Sequence, residues 1–263
     1  MPGNTVELPE RSENSVKGDF GHVLVVGGSR RYTNTPAIVG TAALRTGVDL
    51  VTVAAPERSA DITASYALNT VTTPLPGDAF RSQHVDRVLD TTAADCLAVG
   101  PGLGRHQPVQ EAVVELLERW DGPAVVDADA IHAAADTPAV LADTVVTPHT
   151  GEFESLTGET VSPDTAERRT AVEQTASAYS CTVLLKGAVD VISDGERTTA
   201  VEAGNPYMTR GGTGDTLTGI TAGLIAQGRG GFDAAVDAAA VNGAAGDSAL
   251  KELLAHVSTV IRG

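Results

Sequence analysis

The chain is poor in several kinds of residue. Of its 263 residues two are cysteines, Cys96 and Cys181, one is tryptophan, and aromatic residues make up 3%. The cysteines have no metal-type spacing and no disulfide partner pattern. Each stands beside an apolar run (Cys96-Leu-Ala-Val and Cys181-Thr-Val-Leu-Leu), so both are expected to be buried small hydrophobes in a protein of the reducing cytoplasm. No run reaches the ~18–20 apolar residues needed to span a bilayer. The N-terminus lacks an apolar core preceded by positive charge, so no secretory leader is expected; residues 1–16 are expected to form a flexible arm. Basic residues are also scarce, with 18 Lys+Arg against 34 Asp+Glu and a formal charge of −16. Such a charge repels phosphodiester backbones and anionic lipid heads, which argues against nucleic-acid or membrane-surface binding. Within it, a small pocket can still be locally positive. Lysine is the rarest basic type, at Lys17, Lys186 and Lys251 only. Arginine in place of lysine in an acid-rich chain is expected of adaptation to a high-salt cytoplasm, the alternative being an ordinary acidic protein; full stability in dilute buffer would count against the saline reading.

Several chemical signatures are missing as well. No lysine follows a glycine, so there is no P-loop, and no G-x-G-x-x-G occurs. Walker-type NTPases and ordinary dinucleotide dehydrogenases are therefore disfavoured. H-E-x-x-H, C-x-x-C and G-x-S-x-G do not occur either, which leaves zinc proteases, thioredoxins and serine hydrolases without support.

What the chain does have is 42% hydrophobic residues arranged as short apolar runs alternating with segments of helical period. That alternation predicts a mostly parallel sheet covered by helices on both faces, in one continuous α/β domain over residues 1–263. The inner strands are predicted at His22–Val26, Leu50–Ala54, Cys96–Val99, Ala124–Val126, Thr144–Val146 and Val183–Leu185, rich in Val, Ile and Leu as strands buried on both faces require. Val109, Val113, Leu116 and Trp120 define one helix face, and Val172, Ala176 and Tyr179 another. The second of these helices is predicted over Ser162–Tyr179, with Pro163 in its first turn. Two Ala- and Gly-rich helices are predicted at Thr213–Gln227 and Phe232–Leu254, the first carrying a Gly219/Gly223 pair suited to close helix packing.

Glycine-rich junctions follow these strands, and open parallel sheets bind ligands at their carboxyl ends. The richest is Gly211-Gly212-Thr213-Gly214-Asp215, directly before a helix, where bare N–H groups point toward an anion and a phosphate is expected. Beside a phosphate, the Asp215 carboxylate either takes a proton from an attacking hydroxyl or is only an acidic helix-start residue. Gly27-Gly28-Ser29 and Gly100-Pro101-Gly102-Leu103-Gly104 are junctions or plain turns. His149 and Glu152 follow the predicted strand at Thr144–Val146; alone, they read as a structural histidine and a first-turn charge. Asp127 and Asp129 read as caps of the next helix or as ligands to Mg2+ through water. Lys186, at a strand end, contacts phosphate or is a solvated surface lysine.

The order of these motifs adds what no single one supplies. Gly27-Gly28-Ser29, Ala43-Leu44-Arg45-Thr46-Gly47, Gly100-Pro101-Gly102-Leu103-Gly104, Asp127-Ala128-Asp129-Ala130, Thr147-Pro148-His149-Thr150-Gly151-Glu152-Phe153, Leu184-Leu185-Lys186-Gly187 and the stretch from Asn205 to Asp215 together resemble the ADP-dependent NAD(P)H-hydrate dehydratases, a branch of the ribokinase-like superfamily. The resemblance runs from about Lys17 to the C-terminal helices. It implies a three-layer α/β/α sandwich that dehydrates the S form of NADHX or NADPHX to NADH or NADPH while ADP becomes AMP and phosphate, with Mg2+ as cofactor. By the same resemblance the hydrate-binding positions fall on Thr35, Gly104, His149 and Asp215, and the nucleotide positions on Lys186, Gly187, Ala188, Val189, Asp190, Gly212, Thr213 and Gly214. Asp215 would be the catalytic base, and Glu152 would stand near the metal, through water. Where relatives read T-G-A-P this chain reads Thr33-Asn34-Thr35-Pro36, and Tyr207 stands where relatives have a small residue. The superfamily's kinases carry T-P-N-x-x-E where this chain has Thr147-Pro148-His149-Thr150-Gly151-Glu152, so His149 favours dehydratase over vitamin kinase. Relatives imply a homo-oligomer, a tetramer or larger, and an epimerase domain for which 263 residues are expected to leave no room, so that an epimerase would be a separate chain. An ATP-dependent kinase of a vitamin-precursor alcohol and a non-catalytic adenine-nucleotide sensor are the rival readings.

Overall fold

The computed structural model describes residues 6, 8–91 and 93–262; of the arm predicted over residues 1–16, residues 1–5 and 7 lie outside the described residues. In the described part of that arm Arg11 pairs with Asp49 at 2.9 Å and lies over the Phe20 ring at 4.1 Å.

In chain order the elements are β1 (His22–Val26), α1 (Thr35–Arg45), β2 (Leu50–Pro56), α2 (Glu57–Tyr66), β3 (Val71–Leu75), α3 (Val85–Asp90), β4 (Cys96–Val99), α4 (Gln107–Arg119) and β5 (Ala124–Val126). Then follow α5 (Asp129–Ala134), β6 (Val145–Val146), α6 (Thr150–Thr157), α7 (Thr165–Tyr179), β7 (Thr182–Leu185), β8 (Asp190–Ser193), β9 (Thr198–Val201), α8 (Thr213–Ala226) and α9 (Gly231–Arg262). All nine strands join one sheet in the order β3-β2-β1-β4-β5-β6-β7-β8-β9. Pairing is parallel as far as β7, and β8 and β9 close that edge antiparallel. Each of the six predicted strands is present. The other three, β3, β8 and β9, carry the signal only weakly: β3 and β9 lie at the sheet's edges with much of their length partly exposed, and β8 has only Val191 and Ile192 as apolar residues, between Asp190 and Ser193.

Successive residues along a strand point to opposite faces. Val23, Val25, Val51, Val53 and Ala98 pack with α1, α8 and α9, whereas Leu24, Val26, Leu97, Val99 and Val126 pack with α4, α5, α6 and α7. The result is the three-layer α/β/α sandwich anticipated from the sequence. Cys96 and Cys181 are buried as anticipated, and burial pushes the Cys181 thiol up to about 12. The Gly219/Gly223 pair does serve close packing. A side chain on Gly219 would meet the Val39 carbonyl, and one on Gly223 the Thr46 hydroxyl, so α8 lies directly against α1. Pro163 is not in the first turn of α7. Asp164 caps that helix, its Oδ1 accepting from the Ala166 and Glu167 N–H groups at 2.9 and 3.0 Å. A carboxylate at the cap satisfies two otherwise bare N–H donors, and the helix starts after it.

The chain lays β2 and β3 on one side of β1, then returns to lay β4 on the other. Loops leaving β1 and β4 therefore diverge, and open sheets of this kind form a crevice at that point.

Candidate active site

A first cavity, of about 710 Å³, lies at this crevice. Its walls are Ser29–Tyr32 and Thr35 after β1, Asp78–Ala79 and Arg81 after β3, Gly102–His106 after β4 and Ala128–Asp129 after β5. The Gly28 N–H donates to the Pro101 carbonyl at 2.8 Å, tying the two glycine-rich junctions together. The Thr35 hydroxyl donates to the same carbonyl at 3.1 Å, and the Gly104 N–H donates to Asp129 Oδ2 at 2.8 Å. Two of the four predicted hydrate positions, Thr35 and Gly104, thus share this cavity.

A second cavity, of about 720 Å³, opens beside the carboxyl ends of β6 and β7. His149, Lys186, Gly187, Ala188, Asp190, Thr213 and Gly214 line it, together with the 204–210 loop and Ala239, Asn242 and Gly243 of α9. Of the predicted nucleotide positions only Val189 and Gly212 are not among its walls. Arg168 faces the Val189 carbonyl at 3.5 Å, and Gly212 is the residue that starts α8, at φ +93°, a conformation that a side chain would strain. Asp190 accepts the Gly187 N–H at 2.8 Å, and burial raises its pKa.

Lys186 ties the sheet to α8. It is not a free surface lysine: its side chain keeps 20% of its surface exposed, and Nζ donates to Asp127 Oδ1 at 2.8 Å and lies 3.7 Å from Glu152 Oε2. It also comes within 3.5 Å of where a Cβ on Gly214 would stand. Burial opposes its charge, but the carboxylates of Asp127 and Glu152 hold its pKa above that of an ordinary lysine. Asp127 is 2% exposed. Burial alone would raise it, yet Lys186 and the Thr218 hydroxyl, donating at 2.8 Å, hold it below the usual carboxylate range. Neither Asp127 nor Asp129 caps α5. Ala128 stands at the cap with φ +52°, and that turn sends Asp127 to Lys186 while Asp129 goes to Gly104 and Arg105.

His149 caps α6: its Nδ1 accepts the Glu152 N–H at 3.2 Å, and Glu152 Oε2 accepts the His149 N–H at 2.8 Å. This reciprocal pair fixes both side chains beside Lys186. Asp215 lies in the first turn of α8, between the cavities and not among the lining residues of either. Ile38 of α1 packs 3.3 Å from the Cβ position of Gly212, so the starts of α1 and α8, which carry Thr35 and Asp215, abut. Burial pushes the Asp215 carboxyl up to about 6; Asp127 adds to the rise and Lys186 opposes it. Among the described residues, the N–H groups of Gly214 and Asp215 donate to no backbone carbonyl. Bare amide hydrogens, an ammonium and a half-buried carboxylate there suit transfer of a phosphoryl group to a hydroxyl.

Sequence reasoning missed Thr218, which orients Asp127 across 91 residues of chain, and Arg168, whose guanidinium faces the carbonyls of Leu185, Lys186 and Val189 at 3.4–3.5 Å. It also missed the arginines of the first cavity. None of these has a local sequence signal. Among the described residues no group of three or more His, Cys, Asp or Glu side chains is placed to hold a metal ion alone. No helix of the described residues is long and apolar enough to cross a membrane.

A family model described as NAD(P)H-hydrate dehydratase matches residues 23–260. The chain belongs to that family. It is 43% identical over 251 residues to the bifunctional NAD(P)H-hydrate repair enzyme Nnr of Pyrobaculum aerophilum, covering 94% of this chain and 50% of that protein. It is 36% identical over 256 residues to the ADP-dependent (S)-NAD(P)H-hydrate dehydratase of Cenarchaeum symbiosum, covering 96% of this chain and 89% of that one. The chain thus spans half the length of the first relative. Among solved structures, the ADP/ATP-dependent NAD(P)H-hydrate dehydratase of Bacillus subtilis co-crystallized with ATP/Mg2+ superposes with a TM-score of 0.75 at 26% identity, covering 90% of this chain and 83% of that one. The ribokinase-like sandwich expected from the motifs is the fold found.

Proposed function

We propose that the chain dehydrates the S form of NADHX or NADPHX, using ADP as co-substrate. The observation that carries this reading is the carboxylate of Asp215, raised to about 6 by burial, in the first turn of a helix whose Gly214 and Asp215 N–H groups donate to no backbone carbonyl and whose neighbour is Lys186. The nicotinamide end of the hydrate lies by Thr35 and Gly104, and ADP lies in the second cavity against Lys186 and the 187–190 loop. The hydrate bears its hydroxyl on the carbon next to the ring nitrogen. Hydroxide leaves poorly at neutral pH, so the oxygen must first be converted into a better leaving group. Asp215 accepts the hydroxyl proton as the oxygen bonds to the terminal phosphorus of ADP and the bond to the bridging oxygen breaks, releasing AMP. Phosphate then departs with the C–O electron pair. The ring nitrogen's lone pair forms the iminium, and loss of the neighbouring C–H proton restores the dihydropyridine. Summed over these steps, the elements of water leave the hydrate and appear in AMP and phosphate.

The N–H groups of Gly214 and Asp215 stabilise charge on the moving phosphoryl group, each well-aimed donor of this kind commonly contributing about 3 kcal/mol. His149 fixes Glu152 through their reciprocal bonds, and Lys186 anchors the nucleotide. The donor set is oxygen only, and Mg2+ is typically held by one or two carboxylates together with substrate phosphates. Glu152, buried with its carboxylate toward the second cavity's Lys186, fits a role in holding Mg2+ through water. When bound, the ion would neutralise phosphate charge.

Incubation with NADPHX and ADP, followed by the near-ultraviolet absorbance of the dihydronicotinamide, tests the reading. Recovery of absorbance with stoichiometric AMP is expected. A stable phosphorylated product made from ATP would show a kinase instead, and nucleotide binding with no recovery would show a sensor.

A further inference from the structure

The first cavity gathers positive charge in a chain whose total is −16. Arg30, Arg31, Arg81 and Arg105 line it, against Asp78 and Asp129. Two of the four arginines are neutralised: Arg30 pairs with Asp78 at 3.1 Å and Arg105 with Asp129 at 3.0 Å. Arg31 and Arg81 form no salt bridge among the described residues. The Arg31 guanidinium lies 5.3 Å from the centre of the Tyr32 ring, which is itself 42% exposed in the same cavity. Arg81 spends one donor on the Phe80 carbonyl, at 3.0 Å. The loops that carry them are tied together, since the Arg30 N–H donates to the Asp78 carbonyl at 3.1 Å in addition to the side-chain pair. Folding therefore brings two uncompensated guanidiniums, distant in sequence, to one cavity.

The ligand proposed for this cavity is a dinucleotide hydrate, and its two forms differ by one group. Both share a pyrophosphate bridge with a single charge on each phosphorus, which the remaining donors of the carboxylate-paired Arg30 and Arg105 can meet. A phosphate monoester adds close to two further charges. Holding it needs guanidiniums that no carboxylate has already neutralised, and a planar fork is well matched to phosphate oxygens. We propose that Arg31 and Arg81 bind the 2′-phosphate of the substrate and so set the enzyme's preference for NADPHX over NADHX, with Tyr32 beside the adenosine that bears it. This inference rests on the dehydratase reading for its substrate, though not for the charge that recognises the phosphate.

Two measurements on the full chain, at one fixed ionic strength, test it. In the first, kcat/KM for NADPHX and for NADHX is compared between the wild type and the double variant Arg31→Gln, Arg81→Gln. The wild type is expected to favour NADPHX, and the variant's NADPHX-to-NADHX ratio to fall by about tenfold or more, as removal of charge-assisted phosphate contacts implies. An unchanged ratio overturns the proposal, whether because both values fall together or because neither moves. In the second, adenosine 2′,5′-bisphosphate and AMP are titrated calorimetrically with ADP saturating the second cavity. Tighter binding of the bisphosphate by the wild type, lost in the variant, is expected even if neither hydrate turns over, which separates failure of the catalytic reading from failure of this one. Equal binding of the two probes by the wild type overturns the proposal.

Discussion

The two cavities differ in how their cations are held. In the first, charge is carried by arginines on loops, and Arg30 and Arg105 keep more than half of their side-chain surface exposed even while paired. In the second, the exposed Arg210 is joined by Lys186, half-buried at the start of α8 between Asp127 and Glu152. An exposed guanidinium costs the fold little and can be changed without consequence for stability, because exposed ion pairs contribute only about 0–1 kcal/mol. An ammonium paired with a buried carboxylate cannot be altered alone, since the partner is left as an unpaired charge in a poorly solvated place. On the proposed reading, specificity is placed where change is tolerated, and phosphoryl chemistry where the fold enforces the geometry.

The largest effect is expected between the cavities. Asp215→Asn should still fold and bind AMP, yet lower kcat by about 10²–10⁴-fold, the usual range for a lost general base. The base must be ionised to act. In the wild type, activity should therefore rise as pH increases through about 6, the value to which burial lifts Asp215. The same shift has a stability sign. Because the folded carboxyl binds its proton more tightly than an unfolded one, ionising it disfavours the native state, and stability is lost as pH rises from the ordinary aspartate range through about 6. Asp215→Asn should remove that loss, seen as a smaller drop in Tm between pH values below and above that window.

Next in size is the second cavity. Lys186→Met should destabilise the fold by about 3–5 kcal/mol in a denaturant titration, because the buried Asp127 loses its charged partner and keeps neutral hydroxyl partners such as Thr218. Adding Asp127→Asn to Lys186→Met should recover part of the loss, as the buried charge is then gone. No comparable loss should follow from the arginine variants of the first cavity, and a loss of similar size there would erase the contrast between the two sites.

The smallest effect tests the turn that aims the two aspartates apart. Ala128 has φ +52°, a left-handed conformation that costs a residue with a side chain about 1–3 kcal/mol. Ala128→Gly relieves that strain but gives the unfolded chain more freedom, worth about 0.4–1 kcal/mol. The expected net result is stabilisation of about 1 kcal/mol with Asp127 still bonded to Lys186, measurable as a raised denaturant midpoint.

Much of this architecture was legible in the sequence because strands buried on both faces must be apolar throughout, as Val23–Val26 and Leu97–Val99 are. The edge strand β3 is different. It reads Val71-Thr72-Thr73-Pro74-Leu75, with only Leu75 buried, and such a strand resembles a loop until its neighbour is known. Local rules also located the helix start at Thr213, since a glycine-rich junction before an apolar run is read from a few positions, but they read His149 and Glu152 singly and not as the reciprocal cap they form. They could not supply the Lys186–Asp127 bond, which joins residues 59 apart, nor the Ala128 turn that aims the side chains of Asp127 and Asp129 to different partners. The arginines of the first cavity come from three separate loops and become a cluster only through the fold.

On the proposed mechanism the terminal phosphoryl group is held at the start of α8 beside Asp215. A crystal structure of the chain soaked with ADP measures this directly. The terminal phosphate oxygens are expected within hydrogen-bonding distance of the Gly214 and Asp215 N–H groups, with the adenosine in the second cavity. A terminal phosphate placed elsewhere, out of reach of the Asp215 carboxylate, would contradict it.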